Sequence, residues 1–235
     1  MKQIAEALKA LFDKISDFFD IFDLSFFVSG AVFVSAVVFW AYLSDRYLFS
    51  PLQGGFKILV IVISCYVSGL LCFASGRWLR ITLFKAERGS KFDSQFQEIL
   101  EAHGLTNGGP FREYLGRTNC RSTRRLYIRL WAEIRQTPDL APSLSLLRRY
   151  WVMAATYDGL SVAVFSWAIV IGMWCSGVGA NSKPDLISGS GVVLILILMS
   201  FACLREAERY VRYQNEELVA TIAVHRAGSS ISADT

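Results

Sequence analysis

The chain has 235 residues, 53% hydrophobic and 19% charged, with a net charge of +4 and a mean hydropathy of +0.38. About a quarter of an ordinary soluble domain is charged, so this chain is too apolar to be one, and too apolar to be disordered. Five Cys with no close pair argue against a disulfide scaffold, and 17 Gly with five Pro exclude collagen-like or Pro-rich architectures.

Residues 1–23 repeat their apolar side chains with helical spacing. Ile4, Leu8, Leu11, Ile15, Phe18 and Phe22 alternate steps of four and three, which is a heptad seam, and Phe12 and Phe19 widen it. The other face carries Lys2, Glu6, Lys9, Asp13, Asp17 and Asp20. The spacing predicts an amphipathic helix, lying on the inner leaflet or packed against another subunit or the central region. Its acid-rich face suits protein better than anionic lipid.

A hydrocarbon core about 30 Å thick needs roughly 20 apolar residues at 1.5 Å each. Four runs meet that need without a charge: 24–43, 58–76, 160–178 and 186–204. Asp45, Arg46, Lys57, Arg77, Asp158 and Arg205 bound them. The expected fold is an all-α integral membrane protein. Transmembrane hairpins at 24–76 and 158–204 flank an inserted helical cytoplasmic domain at 77–157, and a C-terminal cytoplasmic helix and tail follow at 205–235. Only Arg46, Lys57 and Lys183 lie in the two hairpin loops, and the other 21 basic residues lie outside them. Positive-inside bias therefore puts both termini and the central region in the cytoplasm. No cleavable signal peptide is expected.

Small residues recur along the second span at Ser64, Ser68, Cys72 and Gly76, with Cys65 and Gly69 beside them. Such spacing lets helices approach closely. It serves packing within one bundle, a subunit interface or a pore lining. No Asp, Glu, Lys, Arg or His falls inside a span, which disfavours an ion-coupled pump but not a pore.

The central 77–157 segment holds 14 basic and seven acidic residues. The second span is expected to continue as helix to about Arg88. Residues 91–103 predict a helix with Phe92, Phe96, Ile99 and Leu100 on one face. LTNGGP predicts a turn, and 122–136 a helix stopped by Thr137-Pro138. Leu126, Tyr127, Leu130, Trp131 and Ile134 share one side of that helix. Arg121, Arg124, Arg125, Arg129 and Arg135 share the other. Cations near a helix start oppose its dipole at about 0.3–1 kcal/mol each. A nearby anion would offset that cost: a lipid headgroup, a carboxylate of the N-terminal helix, a nucleotide or a nucleic acid. The competing reading is a solvated basic face. DLAPS is expected to be a loop, with Ser143 capping a helix that runs into the third span. Glu208 and Arg212, one turn apart, predict a continuous helix over 205–225, and the last eight residues an unstructured tail.

Catalytic chemistry is missing. His103 and His225 are far apart, Cys65, Cys72, Cys175 and Cys203 fall in spans, and Cys120 sits alone in an expected loop. There is no CxxC, HExxH, P-loop or Gly-x-Ser-x-Gly motif, and Gly177-Val178-Gly179 follows no strand. No enzyme, metal or cofactor is expected.

These features fit an oligomeric inner-membrane protein with a cytoplasmic partner, acting as a regulated pore or membrane-perturbing effector. The alternative is a non-conducting scaffold or sensor that recruits a soluble protein. In layout, though with no shared motif, the chain resembles the small four-span effectors of bacterial antiphage systems. That resemblance implies a defence role triggered through the cytoplasmic region.

Overall fold

A computed structural model of the chain describes residues 21–44, 54–84, 90–103, 120–177 and 186–233. Among them every regular element is helical: α1 (Ile21–Leu43), α2 (Gly54–Phe84), α3 (Ser90–Ala102), α4 (Cys120–Gln136), a 3₁₀ turn (Pro138–Leu140), α5 (Ala141–Ser176) and α6 (Leu186–Ala233). Helices α1, α2, α5 and α6 are each long and apolar enough to cross a membrane, which marks a multi-pass membrane protein. Helix α5 has 36 residues and α6 has 48. At 1.5 Å per residue they run about 54 and 72 Å, well beyond the hydrocarbon thickness.

The chain divides into two compact units. Unit 1 takes Met1–Trp78 and Ala155–Ala207, and unit 2 takes Leu79–Ala154 and Glu208–Thr235. Helices α2, α5 and α6 each give residues to both without a break.

Unit 1 is held by close backbone approach. A Cβ on Gly30 of α1 would fall on the Cys65 carbonyl of α2, and one on Gly69 would fall on the Phe26 carbonyl of α1. Gly76 of α2 meets the Asp158 carbonyl of α5 in the same way, and Gly159 faces Ser29. Lipid tails are as apolar as Leu, so helices associate there through such contacts and through hydrogen bonds. Trp167 Nε1 donates to the Val32 carbonyl at 3.0 Å, and Phe39 packs on Trp167 with ring centroids 5.3 Å apart. Only 17–28% of each apolar window is buried, and Val62, Leu71, Leu194 and Leu198 point outward. That much exposed apolar surface suits lipid, not water.

Unit 2 has an ordinary hydrophobic core. Phe96 and Leu100 of α3, Leu126, Leu130 and Ile134 of α4, Leu147 of α5, and Leu218, Val219 and Ile222 of α6 fill it. The 3.6-residue repeat of α4 turns its apolar stripe inward, as its sequence predicts. Tyr127 meets Phe96 edge-on at 6.0 Å. At the margin, the Arg226 guanidinium donates two hydrogen bonds to the Glu133 carboxylate, at 3.0 and 2.7 Å. The pair is one-third exposed or less. A double-mutant cycle of Arg226→Ala and Glu133→Ala, read by thermal denaturation in detergent, is expected to give a coupling of about 1 kcal/mol. Zero coupling would mean that the pair is decorative.

Four local expectations need correction. DLAPS is not a loop. Pro138 opens the 3₁₀ turn and Pro142 sits in the first turn of α5, positions where a missing N–H costs nothing. Ser143 therefore lies inside the helix and does not cap it. Cys120 begins α4, so it is not a loop residue, and α6 continues through Ala233 where a tail was expected. The third span ends at Ser176, where Gly177 takes φ 73° and its N–H donates to the Trp174 carbonyl.

Candidate functional surfaces

The interior of unit 1 is partly polar. Ser25, Ser29, Asp158, Ser161 and Ser200 are all buried. Hydroxyls are satisfied by the backbone: Ser29 Oγ donates to the Phe26 carbonyl at 3.0 Å, Ser161 Oγ to the Asp158 carbonyl at 2.7 Å, and Ser200 Oγ of α6 to the Ser161 carbonyl at 2.8 Å. Asp158 also needs correction. The sequence sets it at the edge of the third span, but its side chain is 1% exposed inside the bundle. It comes there because Gly76 and Gly159 remove the bulk that would hold α5 away from α1 and α2.

The small residues of α2 are arranged around that packing. Cys65, Gly69, Cys72 and Gly76 form its buried face, while Ser64 and Ser68 are half-buried beside it. A step of four residues turns 400°, so a strict four-residue stripe drifts by about 40° per step, and alternating fours and threes hold one face.

Unit 2 contributes a groove between α3 and α6, about 240 Å³ in volume. Buried Phe96 with Ile99 and Val211 supplies its apolar wall, and Glu98, Glu208 and Glu216 bring carboxylates. Glu208 accepts from Arg80 Nη1 at 3.0 Å, and the Arg80 side chain is 2% exposed. Arg212 pairs with Glu216 at 2.9 Å, not with Glu208 as the sequence predicts. The buried guanidinium has lost its hydration and takes the Glu208 carboxylate, whereas Arg212 is exposed and pairs with the carboxylate one turn on. Glu98 and Glu101 are exposed and make no ion pair among the described residues.

Helix α4 presents the opposite charge. Arg124, Arg125, Arg129 and Arg135 are exposed. Arg135 stands 5.6 Å over the Trp131 ring. Arg121 follows Cys120 at the start of the same helix, but its side chain lies outside the described residues. Ile128 sits among these arginines, 57% exposed. The N-terminal seam residues Ile4, Leu8, Leu11, Ile15 and Phe18 lie outside the described residues, as does the side chain of Phe22.

No protein-family model, curated protein or solved structure matches this chain.

Among the described residues no three His, Cys, Asp or Glu side chains converge as a metal-ligand set. Sequence reasoning missed Arg80, Asp158, Glu208 and the groove. One signal was available for Arg80: it lies four residues past Gly76, on the continuation of the buried α2 face.

Proposed function

We propose that this chain is an oligomeric, multi-pass protein of a bacterial inner membrane that acts as a regulated pore or membrane-perturbing effector. Its termini and unit 2 face the cytoplasm, where a partner or anionic signal sets its state. The observation that carries this reading is the sharing of α2, α5 and α6 between the two units. A ligand regulates a membrane segment only by favouring one of two arrangements, and an unbroken helix is a physical route for that bias. The proposal includes no enzymatic step and no cofactor.

The test is flux. The full-length chain is reconstituted into vesicles of phosphatidylethanolamine and phosphatidylglycerol loaded with potassium and carboxyfluorescein. Release is measured alone and with cytoplasmic extract. Release above empty vesicles, at least tenfold greater with extract, supports the effector reading. Inserted protein that stays silent in both conditions removes it. The scaffold reading then stands, and one feature already favours it: Gly30, Gly69, Gly76 and Gly159 are occupied in contacts within a single chain.

A further inference from the structure

We infer that the basic face of α4 in one copy docks into the acidic groove between α3 and α6 of a second copy, giving a head-to-tail contact between unit 2 domains. This deepens the oligomeric reading above and rests on it. The two surfaces complement one another in charge, and each has an apolar centre. The donor is an amphipathic helix whose inner face is already committed to the core through Leu126, Leu130 and Ile134. Its outer face centres on exposed Ile128, with Arg124 one turn before it and Arg125 and Arg129 beside it. An isolated apolar side chain ringed by guanidiniums is the pattern of an interface anchor with a polar rim. The acceptor reverses the pattern. Phe96, Ile99 and Val211 form an apolar wall; Glu98, Glu208 and Glu216 outnumber Arg212 in the lining, and exposed Glu101 follows one turn after Glu98.

Each surface keeps charges in excess of its internal pairs, although Glu208 and Glu216 of the groove are held by Arg80 and Arg212. Arg124 and Arg125 have no ion-pair partner among the described residues, and neither have Glu98 and Glu101. Exposed ion pairs alone are weak, so the charges set register and exclude wrong partners while Ile128 supplies the anchor. Donor and acceptor are different patches, so the contact is heterologous and adds copies in one direction, closing into a ring if the rotation allows. Lipid headgroups share the taste for arginine, but they offer no wall for Ile128.

Full-length protein in detergent, sized by light scattering over a dilution series, tests the inference. The wild type is expected to associate. Arg124→Glu with Arg125→Glu, and separately Glu98→Arg with Glu101→Arg, are each expected to raise the half-association concentration at least tenfold. Ile128→Ser, which carries no charge change, is expected to do the same. Mixing the two charge-reversed proteins is expected to restore association, since each then offers the sign the other lacks. Charge reversals that leave the wild-type size distribution intact, with deletion of residues 1–20 abolishing it, would overturn this contact and leave the oligomer standing on the N-terminal seam. A wild type that is monomeric throughout would remove the oligomer itself. Loss of binding to phosphatidylglycerol vesicles by the arginine variant, with its self-association unchanged, would assign the basic face to lipid and overturn the inference.

Discussion

Gly30→Leu and Gly69→Leu are each expected to abolish the folded bundle of unit 1. At both positions the first side-chain carbon would land on a backbone carbonyl of the facing helix, Cys65 for one and Phe26 for the other. Overpacking usually costs about 1–3 kcal/mol because side chains can give way. Backbone in a helix cannot, so α1 and α2 must part, and the cost is expected at about 4 kcal/mol or more. Gly191 is the control. Nothing lies within 4 Å of the position its Cβ would take, so Gly191→Ala should be neutral or stabilise α6 by about 0.5–1 kcal/mol. Fluorescence-detected size exclusion after a heat ramp in detergent reads both effects. Wild-type melting of the Gly30→Leu protein would refute the close crossing.

The second large effect is expected at Arg80. Its side chain is 2% exposed and donates to Glu208, which is itself 24% exposed. Removing one partner of a buried pair leaves the other charge desolvated and uncompensated, typically at about 3–5 kcal/mol. Arg80→Ala should therefore destabilise unit 2 by that much, seen as faster proteolysis within 79–154 and a lower melting temperature. Arg80→Met combined with Glu208→Leu removes both charges and keeps volume, so it should recover part of the loss. Full recovery is not expected, because Arg80 holds a further interaction besides its pair with Glu208. If Arg80→Ala melts like the wild type, the pair contributes nothing to the fold.

The parts of this fold that could be read from sequence are those set by local periodicity. The four apolar helices follow from run length alone. The α4 stripe of Leu126, Leu130 and Ile134 follows from its 3.6-residue repeat, and α3 began within a residue of its expected start. What escaped depends on partners distant in the chain. Asp158 is charged and reads as a boundary, and Arg80 reads only as one more cation of the central segment; glycine-permitted helix crossings and a carboxylate 128 residues away explain their burial. The α2 stripe was legible in kind but offset. A four-residue repeat points to Ser64 and Ser68, while the helical angle turns Cys65 and Gly69 inward. The groove could not be read at all, since α3 and α6 make it only after the core has formed.

Unit 2 is discontinuous: its two stretches, Leu79–Ala154 and Glu208–Thr235, are separated by the whole second hairpin. During synthesis, Phe96, Leu100, Leu126, Leu130 and Ile134 leave the ribosome well before Leu218, Val219 and Ile222 exist to cover them. The nascent domain must wait, half-assembled, until the last apolar helix has been made. Its completion thus depends on the far end of α6, and a chain cut short before Leu218 leaves an open core for proteases to find.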